Sequence, residues 1–457
     1  MAGIGFELRR LLEKESLFGL ARAYGYAGII SSGPWILSIL CVMLIGVLSL
    51  GIVLPQALII QFLVSVTYLI AASLIITGPL QLLFTRFISD RLFEKNAHLV
   101  LPNLFGVLLL ITLASGGIGV ALALTLFDES FFYELLMISS LVVLSNIWIV
   151  TIFLSGMKSY HSILAAFAGG YGVAVGAALL LRPFGLSGLL GGFWIGQAAL
   201  LFIMLYLVVK EYPGRRLVAF DFIRRRQAYY LLALIGFLFN LGIWVDKLVF
   251  WFTAATSQSI IGPLRASLIY DLPIFLAYLS IIPGMAVFLV RMETDFVEAY
   301  DKFYTSVREG DTLQHIKLYK DDMVLTVKQG IYEIFKVQGL TVVLLFLVAE
   351  RLLAAIGISI FHVHLFQVDL IGVGLQVLLL ALLNVAFYLD LRGTALAITL
   401  SFLLINLFAS IFSLYLGPAF YGYGFALSTF LTSLLGLFLI DRHLEKLEYE
   451  TFMLQPF

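Results

Sequence analysis

Residues 76–90, ITGPLQLLFTRFISD, and residues 281–295, IIPGMAVFLVRMETD, are the two stretches on which the fold turns. Each is an apolar run with a Gly/Pro pair (Gly78-Pro79, Pro283-Gly284) about two helical turns ahead of an arginine, and an aspartate four residues beyond that arginine. Arg86 answers to Arg291, Asp90 to Asp295 and Ala23-Tyr24 to Ala228-Tyr229, all at one offset. A weak repeat of this kind between apolar segments is the sequence mark of a duplicated membrane transporter.

Working outward, the rest of the chain is just as apolar. Of 457 residues, 61% are hydrophobic and 12% charged, against about 45–50% and about 25% in soluble domains. A soluble globule would have to show that excess to water. The composition therefore excludes a soluble enzyme, a nucleic-acid binder and a disordered chain. A helix needs about 20 apolar residues to cross a bilayer, and twelve stretches qualify: 26–50, 57–82, 101–126, 133–156, 161–181, 187–209, 229–254, 266–289, 338–357, 366–388, 395–416 and 422–440. The runs are unbroken rather than alternating, which argues against a barrel. The expected fold is an all-α polytopic membrane protein of twelve transmembrane helices in two pseudo-symmetric six-helix bundles.

The charges orient it. With the N-terminus inside, Arg182 and Arg265 alone of the 28 Lys and Arg fall in outer loops, and Lys247 and Arg351 alone fall within spans. The others mark the cytoplasmic face. The implied organisation is an amphipathic interfacial helix at 1–22, a first bundle at 23–209, a basic cytoplasmic linker at 210–226, a second bundle at 227–440, and a cytoplasmic tail at 441–457. The second bundle carries a large charged inner loop, 291–337. In that loop Phe296, Tyr300, Phe303 and Val307 recur at helical spacing, Gly310 interrupts, and a second helix is expected from about Thr312 into the ninth span. Six is an even number, so both halves enter from the same side as a parallel repeat. Such a pair encloses a central cleft.

Several chemistries have no carrier. There is no phosphate loop of the G-x-x-x-x-G-K-[ST] type, no D-x-D and no Q-x-x-R-W, so no enzyme, cofactor or metal site is expected. Cys41, the single cysteine, reads as a small buried hydrophobe. The clustered pair His362/His364 is a poor metal site and reads as solvated or interfacial. Charges inside spans are costly and are functional candidates by default. Asp246, Lys247, Asp271, Glu350 and Arg351 are thus candidates for a substrate path or for a coupling cation, H+ or Na+. The alternative is that they neutralise neighbours and fix packing. Ser31-Ser32-Gly33-Pro34-Trp35 in the first span and Pro273 in the eighth are candidate hinges or cleft-lining breaks, or only structural kinks. Trp35, Trp244, Trp251 and Tyr270 read as belt or packing aromatics that could also stack on sugar rings. Arg86/Asp90 and Arg291/Asp295 read as surface i,i+4 ion pairs or as an inner-gate latch.

The opening residues 1–39, MAGIGFELRRLLEKESLFGLARAYGYAGIISSGPWILSI, resemble the PelG family, transport components of the Pel exopolysaccharide system. That family lies in the polysaccharide-transporter branch of the MOP flippase superfamily, and its length and twelve-span layout are similar too. The resemblance implies a MATE/MOP-like fold in the bacterial inner membrane and export of a galactosamine-rich polymer or its lipid-linked precursor. It also implies work with the membrane proteins PelD and PelE and with the cytoplasmic glycosyltransferase PelF. Lys317, Lys320, Phe303 and Tyr300 in the inner loop are the candidate docking residues. A cation-coupled drug antiporter and a non-transporting scaffold for a glycan synthase are the alternatives.

Overall fold

The computed structural model describes residues 25, 27–28, 33–154, 160–212, 214, 216–224 and 229–453. The expected helix at 1–22, Ser32, and the ends 454–457 lie outside the described residues, as do the side chains of Gly33, Pro34 and Trp35. Among the described residues the chain is helical apart from one small hairpin. Ten helical runs are long and apolar enough to cross a membrane, where the sequence suggested twelve. The difference has a local cause. Expected spans five and six form a single run, Ala165–Glu211, because only the short turn Arg182–Phe184 separates them. The described part of span one, α1 (Gly33–Ser49), is short.

The contacts divide the described residues into two compact units, one within 33–268 and one within 269–453 together with Gly25, Ala27 and Gly28. The first unit holds α2 (Ala57–Phe93), α3 (Val100–Leu126), α4 (Phe131–Leu154), α5 (Tyr160–Leu181), α6 (Gly185–Glu211) and α7 (Tyr230–Phe252). Its tightest pair is α5 and α6. Helices in lipid gain no hydrophobic drive from one another, so they associate where small residues let backbones meet. Here a Cβ on Gly192 would lie 2.3 Å from the Ala178 Cα, and one on Gly196 2.2 Å from the Ala174 Cβ. Away from this seam the core is aromatic. Phe222, fully buried, meets Phe84 and Phe87 edge-on at 5.6 and 6.3 Å.

Phe222 belongs to the stretch 210–226, expected as a basic cytoplasmic linker. Its middle is instead folded onto α3. The Ala219 N–H donates to the Pro102 carbonyl at 2.9 Å. The buried Asn103 amide accepts from the Asp221 N–H at 2.7 Å and donates to its carboxylate at 3.1 Å. Helix α7, expected to open the second bundle, packs along α2 within the first unit. At that crossing a Cβ on Gly236 would lie 2.2 Å from the Gly78 carbonyl. The boundary between the units thus falls after α7 and its hairpin rather than at 210–226.

The second unit begins with α8 (Leu268–Tyr278) and α9 (Ile281–Val290), a helix broken at Leu279–Ser280 ahead of Pro283. A π-helical segment, Arg291–Phe296, carries the chain straight into α10 (Val297–Glu309). Gly310, left-handed at φ 71°, ends α10, where only a residue without Cβ sits at ease. Thr312 then caps α11 (Leu313–Ala355) by accepting from the His315 N–H. The inner loop is therefore the two helices that the sequence pattern implies. The unit closes with α12 (Val363–Tyr388), α13 (Arg392–Leu416) and α14 (Tyr423–Met453). Helix α14 runs unbroken to Met453, so residues 441–453 of the expected tail are helical. Gly28 joins this unit: a Cβ there would meet Ile282 at 3.3 Å.

Candidate functional site

In the first unit the intramembrane charges of α7 pair with each other. Asp246 and Lys247 are 0% and 1% exposed. The Lys247 ammonium donates to both carboxylate oxygens at 3.0 and 3.2 Å and to the Ile243 carbonyl one turn back at 2.9 Å. It also lies 6.0 Å from the Trp244 ring centroid. In a low dielectric a buried charge is tolerable when it is compensated, and each of these two helps to compensate the other.

One turn on, Trp251 stacks on Tyr68 of α2 with ring centroids 4.5 Å apart. The Tyr68 hydroxyl donates to the Arg265 carbonyl at 2.8 Å. That carbonyl belongs to a hairpin the sequence reading had as plain outer loop: β1 (Gln258–Ile261) pairs antiparallel with β2 (Leu264–Ala266). The Arg265 guanidinium folds back on Ser257, reaching its Oγ at 2.9 Å and its carbonyl at 3.1 Å. Trp251, Trp244 and Tyr270 are all buried, so their rings pack against protein.

In the second unit Asp271 and Pro273 are buried in α8. Asp271 lies in the first turn, where the helix dipole favours a carboxylate. Gln338 of α11 donates to the Ser280 carbonyl at 3.1 Å, bridging the break between α8 and α9. It lies close against Gly284, where a Cβ would come 2.4 Å from the Gln338 Oε1. Glu350 and Arg351 do not join this interior. They were expected nearer the middle of the membrane, but α11 ends at Ala355, which puts them in its last two turns, and both are exposed. One intramembrane carboxylate escaped the sequence reading: Asp369 of α12, fully buried with its Oδ1 beside Gly422. A lone Asp in an apolar run was the available signal.

The repeated Arg/Asp pairs each close within a helix. Arg86 meets Asp90 at 3.2 Å, with the Tyr229 hydroxyl donating to Asp90 and the Tyr229 ring 5.7 Å from the guanidinium. Arg291 meets Asp295 at 2.5 Å and grips Glu333 of α11 with two parallel bonds of 2.6 and 2.9 Å. Glu293, in the same π-helical segment, accepts from Asn384 at 3.1 Å and from the Tyr388 hydroxyl at 2.7 Å. π-Segments cost backbone regularity and cluster at functional sites. Here the segment turns Arg291 toward α11 and Glu293 toward α12. Glu333, Asn384 and Tyr388 have no sequence signature of their own.

Of the docking candidates, Lys317 is exposed and Tyr300 half-buried. Lys320 is engaged by Glu448 of α14 at 3.2 Å. Phe303 is a correction: it is fully buried under α10 and cannot face a partner. Its spacing with Phe296 and Tyr300 marks the inward face of an amphipathic helix. Tyr388 completes that face, edge-on to Phe296 at 5.5 Å and to Tyr300 at 5.8 Å.

Solved structures share this architecture. An outward-facing multidrug resistance MATE family transporter of the MOP superfamily superposes with a TM-score of 0.64 at 13% identity, covering 93% of this chain and 96% of that one. A MATE structure in the straight conformation gives 0.62 at 13%, with the same coverage. A MOP superfamily transporter from Pyrococcus furiosus, described as having reversed binding-pocket polarity, gives 0.60 at 13%, again covering 93% and 96%. At such identities the likeness establishes the fold alone. No curated protein matches the chain. The sequence model of the PelG exopolysaccharide exporter (EPS-E) family matches residues 1–452. A multi-pass helical membrane protein with a MOP-superfamily transporter fold, matched along almost its whole length, the chain belongs to the PelG exopolysaccharide-exporter family.

Proposed function

We propose that the chain moves Pel-type exopolysaccharide, or its lipid-linked precursor, from the cytoplasm to the periplasm across the bacterial inner membrane. The observation that carries this reading is the family match over residues 1–452, on a fold shared with MOP transporters. The chain is read as twelve spans in two related halves, with both termini cytoplasmic, as the distribution of Lys and Arg supports. It acts as a transporter rather than as the synthase. PelF supplies the polymer, and PelD and PelE hold the assembly at the inner face, where Lys317 stands exposed. Asp246, Lys247 and Asp271 are proposed to serve the path by shaping it, since all three are buried.

A cell that makes the partners but lacks this chain tests the reading. Polymer should accumulate inside while PelF still reaches the membrane. Loss of PelF from the membrane, with no internal polymer, would favour the scaffold alternative. Drug efflux on expression of the chain alone, without any effect on polymer, would favour the antiporter.

A further inference from the structure

The second unit carries a groove of about 690 Å³ between α11, α12 and α14 that the transport reading does not use. Its walls are apolar: Phe335 of α11, Leu378 of α12, and Leu434 and Phe438 of α14. Several of these would be poor surface residues in water. Phe335 is 58% exposed and Phe438 63%. Two lining residues are charged, and they sit together. The Lys328 Nζ lies 3.5 Å from the Asp441 Oδ1, with both side chains more than half exposed.

The placement of that pair gives the groove a top and a depth. Asp441 directly follows the apolar stretch 422–440 of α14, so the pair stands at the level where headgroups begin. From Asp441 to Phe430, the innermost lining residue of α14, the helix rises about 16 Å at 1.5 Å per residue. That is half of a hydrocarbon core of about 30 Å. The groove is therefore one leaflet deep. A membrane-spanning helix of a partner would need the full thickness, about twice the depth of this groove.

We infer that this groove is a binding site for one diacyl phospholipid with a zwitterionic phosphate–amine headgroup, such as phosphatidylethanolamine. The acyl tails lie along Phe335, Leu378, Leu434 and Phe438, removing their apolar faces from competition with bulk lipid. At the mouth the phosphate takes Lys328 and the ammonium takes Asp441. A loosely held, exposed ion pair gives up little when it opens. An anionic lipid without the amine would satisfy Lys328 and leave Asp441 facing like charge. The volume lies within the range of built ligand sites, about 300–1,000 Å³.

The test is native mass spectrometry of the full-length chain equilibrated with vesicles of equal parts phosphatidylethanolamine and phosphatidylglycerol. One phosphatidylethanolamine should stay bound per chain, preferred about tenfold over phosphatidylglycerol, the scale of one charge-assisted contact. Leu434→Trp, which fills the trough, should abolish retention of either lipid. Lys328→Gln with Asp441→Asn alters only the exposed mouth; it should keep a bound lipid and lose the headgroup preference. The second variant decides the matter if the first fails to fold. Wild-type chain that retains no lipid, a preference for phosphatidylglycerol, or a preference unchanged in the double variant would overturn the assignment.

Discussion

Substituting Gly236 by alanine tests the placement of α7 on α2, the feature that moves the boundary between the units. The added Cβ would lie 2.2 Å from the Gly78 carbonyl oxygen. Helix backbone cannot swing aside as a flexible side chain does, so the two helices must part by roughly 1 Å, a gap that forfeits a quarter to a half of each affected dispersion contact. Overpacking costs about 1–3 kcal/mol, and a Cβ pressed this far into rigid backbone falls in the upper part of that range, about 2–3 kcal/mol. The gain in helix propensity returns at most about 1 kcal/mol, leaving a net loss of about 1–2 kcal/mol. For a unit of this size each kcal/mol moves the melting temperature by about 2–4 °C, so a fall of about 2–8 °C is expected. Gly176→Ala is the control: its Cβ meets nothing within 4 Å, and it should match or slightly exceed the wild type. Thermal unfolding of the purified variants in one detergent reads both. Gly236→Ala melting with the wild type would refute the close crossing and, with it, the assignment of α7 to the first unit.

Other consequences follow from particular contacts. Asp246→Asn should lower the amount of folded protein, because it leaves the Lys247 ammonium, 1% exposed, without its carboxylate, a loss of about 3–5 kcal/mol; Asp246→Asn with Lys247→Met should recover much of it, and equal yields of the single and double variants would contradict the pairing. Glu333→Gln removes the carboxylate that grips Arg291 and should speed amide exchange across Arg291–Phe296; unchanged exchange would show that the π-helical segment does not depend on that grip. The Asp311 carboxyl is held below its usual range by the Thr312 N–H and then by His315. Its contribution is present above the unfolded carboxylate range and is lost as pH falls through the depressed value, so the first turn of α11 should fray in acid, and Asp311→Asn should remove that dependence, as amide exchange at Thr312 reads. Reversal of charge at Lys317 should weaken capture of PelF, whereas reversal at Lys320 also breaks its bond to Glu448 and should lower stability as well; equal capture by Lys317→Glu would exclude that position.

Much of this was legible because a bilayer imposes simple rules on a chain. Apolar length marks the spans, and the run Phe296–Val307 followed by Gly310 and Thr312 marks α10, its end and the start of α11. What the pattern could not show is which face meets which. Phe303 reads as an exposed aromatic in a charged loop, yet the same spacing makes it the core of α10. Ala228-Tyr229 marks the start of α7 but carries no information about its partner, which is set by the fit of Gly236 to Gly78. The hairpin at Gln258–Ala266 is hidden because its strands are short and its support comes from α2, far away in sequence. Among the candidate residues, burial divides Asp246, Lys247 and Asp271 from the exposed Glu350 and Arg351, a distinction that hydropathy alone cannot make. Glu293 and Glu333 are two among many charges of the stretch 291–337, and only the packing shows that Tyr388 of α12 meets the first and Arg291 the second.

The central claim is transport of polysaccharide, and reconstitution measures it most directly. The purified chain is placed in sealed vesicles with PelD and PelE, and PelF and UDP-sugar are supplied on one side of the membrane only. The account predicts that polymer appears on the opposite side when the chain is present and stays with PelF when it is omitted. Polymer confined to the side of synthesis in the presence of the full set, or crossing equally well without this chain, would contradict it.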